Sequence, residues 1–211
     1  MNTTFYDQKL VGTLRHANLD MAKAYGKSLK LKPYNTGKRK VMLLLVDPQL
    51  GFIEKGRPLC VPGAIQDMIN IVEFILTNVG TIDQITASLD SHLPFQIFFP
   101  DWWVYADGRP LEPFTVVTLE DVQSKKIKPI FDFPYEYAPG KSMPWSEYYL
   151  AMLENYGKKT GDGDFEKKNL MVWPNHCMIG TGEHIIEPTL YEAIFAHAIA
   201  RKSEPKLKTK G

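Results

Sequence analysis

Six consecutive apolar residues at 41–46 (VMLLLV) follow the basic triplet KRK, a run too short to favour a helix and without polar alternation. The pattern predicts a strand buried on both faces, as in a parallel sheet. Pro62-Gly63-Ala64 then opens a segment in which Ile65, Met68, Ile69, Ile71, Val72 and Ile75 make one broad apolar face, predicting an amphipathic helix to about Thr77. Residues 82–89 return to strand character. Strand, helix and strand in that order predict a parallel sheet and an α/β fold.

On either side of this unit the pattern changes. Residues 1–40 form an N-terminal extension in which Leu10, Leu14 and Met21 recur at roughly helical spacing, read as an arm packed on the main domain at 41–211. Between Phe98 and Lys168, aromatics, prolines and glycines mix with charges. A structureless loop of that length is improbable in a compact domain, so a folded insertion is expected at about 100–167, with one helix over 146–156. Residues 170–173 read as a short third strand and 189–201 as a second helix. The closing KSEPKLKTKG has the composition of a solvated basic tail.

Composition narrows the function classes. With 211 residues, 44% of them hydrophobic, the chain can bury one sizeable core. A net charge of +1 supplies no overall field for nucleic acid or an anionic membrane, so neither is an expected partner. Cys60 and Cys177, far apart and without a CxxC spacing, argue against a disulfide scaffold or a zinc ribbon and suit a reducing compartment. The N-terminus lacks the blocks of a secretory signal, and no apolar run nears the ~20 residues that span a bilayer. A soluble cytoplasmic protein is the expectation.

Three short segments carry the candidate chemistry, and each follows an apolar stretch. Asp47 ends the run at 41–46, where an ionised carboxylate needs partners or a cleft edge, although a strand-end Asp is also an ordinary cap. Asp90 and His92 share one side of an extended segment, so a carboxylate oxygen and an imidazole nitrogen can converge on one ion. His176 adds a third donor, with Trp173 and Pro174 beside it as an apolar wall. Two histidines and one carboxylate suit zinc, iron(II) or manganese with positions left for water or substrate. All three segments are expected at one edge of the sheet, where open α/β folds bind ligands.

Together, VDPQLGF, DSH and WPNHCMIGTGEHIIEPTL resemble the nicotinamidases of the isochorismatase-like cysteine hydrolases, over roughly residues 40–99 and 168–211. The resemblance implies a three-layer α-β-α fold with a parallel sheet and hydrolysis of nicotinamide to nicotinic acid and ammonia through a cysteine thiolate. By the same resemblance, Asp47 belongs to the catalytic triad, and Lys210 matches the triad lysine by its place before a glycine. Phe52 and Trp173 match the aromatics that sandwich the pyridine ring. Asp90, His92 and His176 match the ligands of one divalent ion, with zinc the leading choice and iron or manganese the alternatives.

The sequence also departs from the family. Gln96 stands in the region where a further histidine is usual, and 84 positions separate His92 from His176. No cysteine follows Cys177, whereas the family's nucleophile lies beyond its triad lysine. Cys177 itself reads as a small packed residue beside the metal histidine. His184 reads as an orienting group near the metal, and His197 as a partly exposed helix residue. The expectation is therefore an incomplete amidohydrolase whose nucleophilic part comes from a completing C-terminal polypeptide or lies beyond these 211 residues, with an open sheet edge that favours a homo-oligomer. The alternative is a metal- and pyridine-binding pseudoenzyme or interaction module without turnover.

Overall fold

The computed structural model describes residues 6–34, 40–156 and 168–211. In chain order its elements are α1 (Leu19–Ser28), β1 (Met42–Val46), α2 (Leu50–Ile53), α3 (Ala64–Thr77), β2 (Gln84–Asp90), β3 (Trp103–Tyr105), β4 (Val116–Val117), α4 (Leu119–Gln123), β5 (Ile127–Pro129), β6 (Pro134–Ala138), β7 (Lys141–Pro144), α5 (Trp145–Asn155), β8 (Leu170–Met171), α6 (Pro188–Arg201) and β9 (Lys206–Lys210). They form two compact units. One holds the chain up to His92 and again from His176, and the other is Leu93–Asn175.

The first unit is an α/β structure on a parallel sheet of strand order β1-β2-β9. Leu45, Ile85, Ala87 and Leu89 point from one sheet face into a core completed by Val72 and Ile75 of α3 and Leu190 and Ile194 of α6. On the opposite face Met42, Leu44 and Val46 are 61%, 54% and 68% exposed. Burial of β1 on both faces is therefore not what is found among the described residues. Six apolar residues in a row satisfy one buried face as readily as two, because only alternate side chains reach it.

The tail reading also gives way. Residues 206–210 form β9, parallel to β2 with Asp90 opposite Lys210. Every β9 residue is exposed, and alternating lysines suit a strand at the sheet edge. The strand pattern was masked because no β9 position is buried.

Helix α6 is covered on its outer side by α1. Asn18 caps α1 by accepting a hydrogen bond from the Met21 amide, and Gly26 permits a close approach, since a Cβ there would stand 2.5 Å from the Ala196 carbonyl oxygen. The leader before α1 is pinned by the buried Glu187 and Glu192: Gly12 N donates to Glu187, while the Arg15 guanidinium binds both carboxylate oxygens of Glu192. Pro188 opens α6 and the Glu187 side chain accepts from Leu190 N. His197 is buried, contrary to its expected exposure, and its Nε2 lies 2.9 Å from the Ile82 carbonyl. The adjacent Arg201–Asp83 ion pair, at 2.8 Å, is also buried.

The second unit has antiparallel ladders β3-β5, β4-β8 and β6-β7, with α4 and α5, around Trp103, Leu111, Val117, Leu150 and Val172. The apolar stretch at 170–173 was expected in the parallel sheet, but β8 pairs antiparallel with β4 instead. A two-residue ladder between short apolar strands is beyond what periodicity resolves. The expected helix at 146–156 corresponds to α5, whereas the end of the expected insertion, 157–167, lies outside the described residues. Among the described residues no helix is long and apolar enough to cross a membrane.

Candidate metal and acid-base site

All strands of the parallel sheet end at the same edge, and their last residues meet there. After β1 the chain turns at Asp47, which adopts the left-handed conformation at φ 51°, a region that aspartate tolerates better than most residues. Asp47 N still donates to Ser88 O at 3.1 Å, and the Ser88 hydroxyl donates to Asp47 Oδ1 at 2.8 Å. From β9, Lys210 Nζ lies 2.9 Å from Asp47 Oδ2 and 3.3 Å from Asp90 Oδ1. Burial alone would lower the Lys210 pKa, but the hydrogen bond to Asp47 and the two carboxylate charges raise it. Lys210 is held as a cation between two acids.

Asp90 Oδ2 lies 3.0 Å from His176 Nε2 and 3.1 Å from His92 Nε2, and the two imidazole rings meet edge to face at 4.6 Å. His176 arrives without a strand of its own in the sheet. The loop that follows it pairs with the end of the β2 segment, His92 N donating to Cys177 O and Ile179 N to His92 O. Burial raises the Asp90 pKa, but hydrogen bonds from His176 and His92, with the charges of His92 and Lys210, hold the carboxyl well below the usual range. One donor atom from each of Asp90, His92 and His176 lies within 4.8 Å of the others. Two imidazole nitrogens and a carboxylate oxygen at this separation fit a divalent ion of the zinc, iron or manganese class.

The other residues singled out in the sequence have varied positions. Phe52 is partly buried, with its ring 5.9 Å from that of His176. Trp173 belongs to the second unit, where it is 40% exposed and meets Phe114 edge to face. Cys177 is fully buried with φ 46°, and burial, reinforced by the charges of Asp90, Glu183 and Asp47, pushes its thiol up to about 12. Cys60 directs its sulfur at the Ile53 carbonyl. His184 Nε2 lies 2.8 Å from the Ser91 hydroxyl.

Sequence reasoning missed three contributors. Ser88 holds the Asp47 carboxylate, Gly51 leaves room for Cys177, and Gln49 binds the backbone of Asp90. A Cβ on Gly51 would sit 2.7 Å from Cys177 Sγ. The available signals were small: Ser88 lies two positions before Asp90, and Gln49 and Gly51 fall within the quoted VDPQLGF segment.

No family model and no curated protein sequence matches the chain. Among solved structures, the yeast nicotinamidase Pnc1p is similar at a TM-score of 0.46 and 16% identity, over 82% of this chain and 57% of that one. The same yeast enzyme bound to the inhibitor nicotinaldehyde gives 0.46 and 17%, with the same coverage. A nicotinamidase/pyrazinamidase from Acinetobacter gives 0.42 and 18%, over 83% of this chain and 54% of that one. The chain spans little more than half the length of each of these structures.

Proposed function

We propose that the first unit is the acid-base and metal-binding part of a nicotinamidase-type amidohydrolase acting on a small amide. The observation that carries this reading is Lys210 standing between Asp47 and Asp90, with Asp90 in turn on His92 and His176. Asp47 is the proton acceptor and donor of the proposed reaction, taking a thiol proton and returning it to the departing ammonia. Lys210, paired with Asp47 at 2.9 Å, stabilises thiolate charge beside it. Asp90, His92 and His176 would hold one divalent ion, with zinc the leading choice, and when bound it would supply Lewis acidity at the pyridine end of the substrate. Phe52, whose ring lies 5.9 Å from that of His176, is the proposed ring-binding aromatic of this unit.

The attacking thiol belongs to neither cysteine of this chain. Cys177 is buried and strongly disfavoured as a thiolate, and Cys60 is turned to the Ile53 carbonyl. Turnover therefore needs a thiol other than these two, and a completing polypeptide is one proposed source. The exposed Met42, Leu44 and Val46 support association with such a polypeptide or with a second copy. A cytoplasmic setting is part of the proposal, because a reducing compartment keeps a working thiol from oxidation. These same cysteine positions favour a second reading for the chain acting alone, a module that binds metal and a pyridine ligand without turnover.

The test is nicotinamide binding and ammonia release by the chain loaded with zinc, iron(II) or manganese, beside an Asp47→Ala variant. Binding that needs the metal, with release only when a thiol-bearing partner is present and lost in Asp47→Ala, is the expected outcome. A metal-loaded chain that does not bind nicotinamide overturns the proposal.

A further inference from the structure

We infer that Gln49 is a positioning residue whose side chain locks the metal-ligand Asp90 to the turn that carries Asp47. The inference rests on the metal-site reading above for its consequence but not for its geometry. In a parallel ladder, the backbone N–H and C=O of residues two apart on a strand face the same neighbour. The last ladder bond between β1 and β2 runs from Asp47 N to Ser88 O, so the amide and carbonyl of Asp90 also face the β1 side. Ser91 N faces the other way and donates to Lys210 O at 2.7 Å. At the level of Asp90, β1 has already turned away at Asp47.

The Gln49 carboxamide takes the place of the missing strand. Its Oε1 accepts from Asp90 N at 2.7 Å, and its Nε2 donates to Asp90 O at 2.8 Å and to His184 O at 2.9 Å. The residue is fully buried, and an acceptor and both amide hydrogens are engaged. Its own backbone N donates to Asp47 O at 2.8 Å, closing the turn at the proposed base. One side chain thus ties the Asp47 turn, the Asp90 backbone and the His184 loop together. Only a carboxamide of this length does so. Glutamate keeps the shape but aims a carboxylate oxygen at two carbonyls, and leucine leaves the Asp90 amide and carbonyl buried without partners.

The experiment follows backbone and metal readouts together in the full chain and in Gln49→Glu and Gln49→Leu. Amide hydrogen exchange at Asp90 and Ala87 and the imidazole nitrogen signals of His92 and His176 are recorded without metal, and zinc affinity is measured by chelator competition. Exchange at Asp90 is expected to rise by more than about tenfold while Ala87 stays protected, because only the local bond is lost. The His176 nitrogen signal is expected to shift and zinc affinity to fall about 10–100-fold. The exchange readout belongs to Gln49→Leu; if that variant does not fold, Gln49→Glu serves through the His176 signal, because its carboxylate still accepts from Asp90 N but repels the Asp90 and His184 carbonyls. Equal acceleration at Ala87 and Asp90 would mean a general loss of stability and would overturn the inference, as would unchanged Asp90 exchange and unchanged imidazole signals. If the parent chain binds no zinc, the metal reading fails, and the exchange and imidazole signals of the metal-free protein still decide the role of Gln49.

Discussion

The two faces of the parallel sheet are made from the same three strands and do different work. Leu45, Ile85, Ala87 and Leu89 fill the core on one face, whereas the other carries exposed Met42, Leu44 and Val46 on β1 and lysines on β9. The core face holds the strands in register, and the open face inherits that register as a row of chemistry at its end: Asp90 opposite Lys210, with Asp47 one residue past Val46. A carboxylate on the buried face would need to be desolvated without such partners. Placing Asp90 and Lys210 on the open face lets both stay charged and meet.

The contrast can be broken most strongly from the core side. Ile85→Ala is expected to cost about 2–5 kcal/mol in urea denaturation, while Leu44→Ala, on the same sheet but exposed, changes stability by less than about 0.5 kcal/mol. Comparable losses at both positions would mean that the open face is covered in solution. Gly51→Ala is expected to follow in size, costing about 1–3 kcal/mol, because the new methyl group meets Cys177 Sγ and must push the turn that carries His176. A weaker zinc affinity should accompany that loss.

Lys210→Met sharpens the comparison on the open face. Its side chain is half exposed, so solvent screening limits the stability effect to less than about 1 kcal/mol. Zinc should nonetheless bind more tightly, since a cation 3.3 Å from Asp90 no longer repels it, and the gain should shrink with added salt in chelator competition. The smallest effect is expected at His197 in the core. Burial lowers its pKa from the ordinary 6.5, so its contribution to stability is complete above that value and is lost as pH falls below it. His197→Gln should flatten the stability profile on the acid side of neutrality in pH-dependent urea titrations.

The elements that build the core face were the legible ones. The apolar periodicity of 64–77 becomes α3, and the strand run at 41–46 becomes β1, because burial on one side leaves a pattern in the sequence. β9 could not be read this way, since none of its residues is buried and its alternating lysines resemble a solvated tail. The motif residues Asp47, Asp90, His92 and His176 were visible as residue types at strand ends. Lys210 was visible only through the family resemblance, by its place before a glycine, and Ser88 and Gln49 were not singled out: all three act through contacts between segments far apart in sequence, and such contacts have no period. His197 was misread as partly exposed because nothing local marks the Ile82 carbonyl as its partner.

The most direct test of the account is the zinc affinity of the intact chain against His176→Ala, measured by chelator competition with metal content by elemental analysis. His176 reaches Asp90 and His92 only through the fold, so one zinc per chain is expected in the parent and a loss of about 100-fold or more in the variant. A parent chain that holds no zinc, or a variant that binds it as tightly as the parent, would contradict the account.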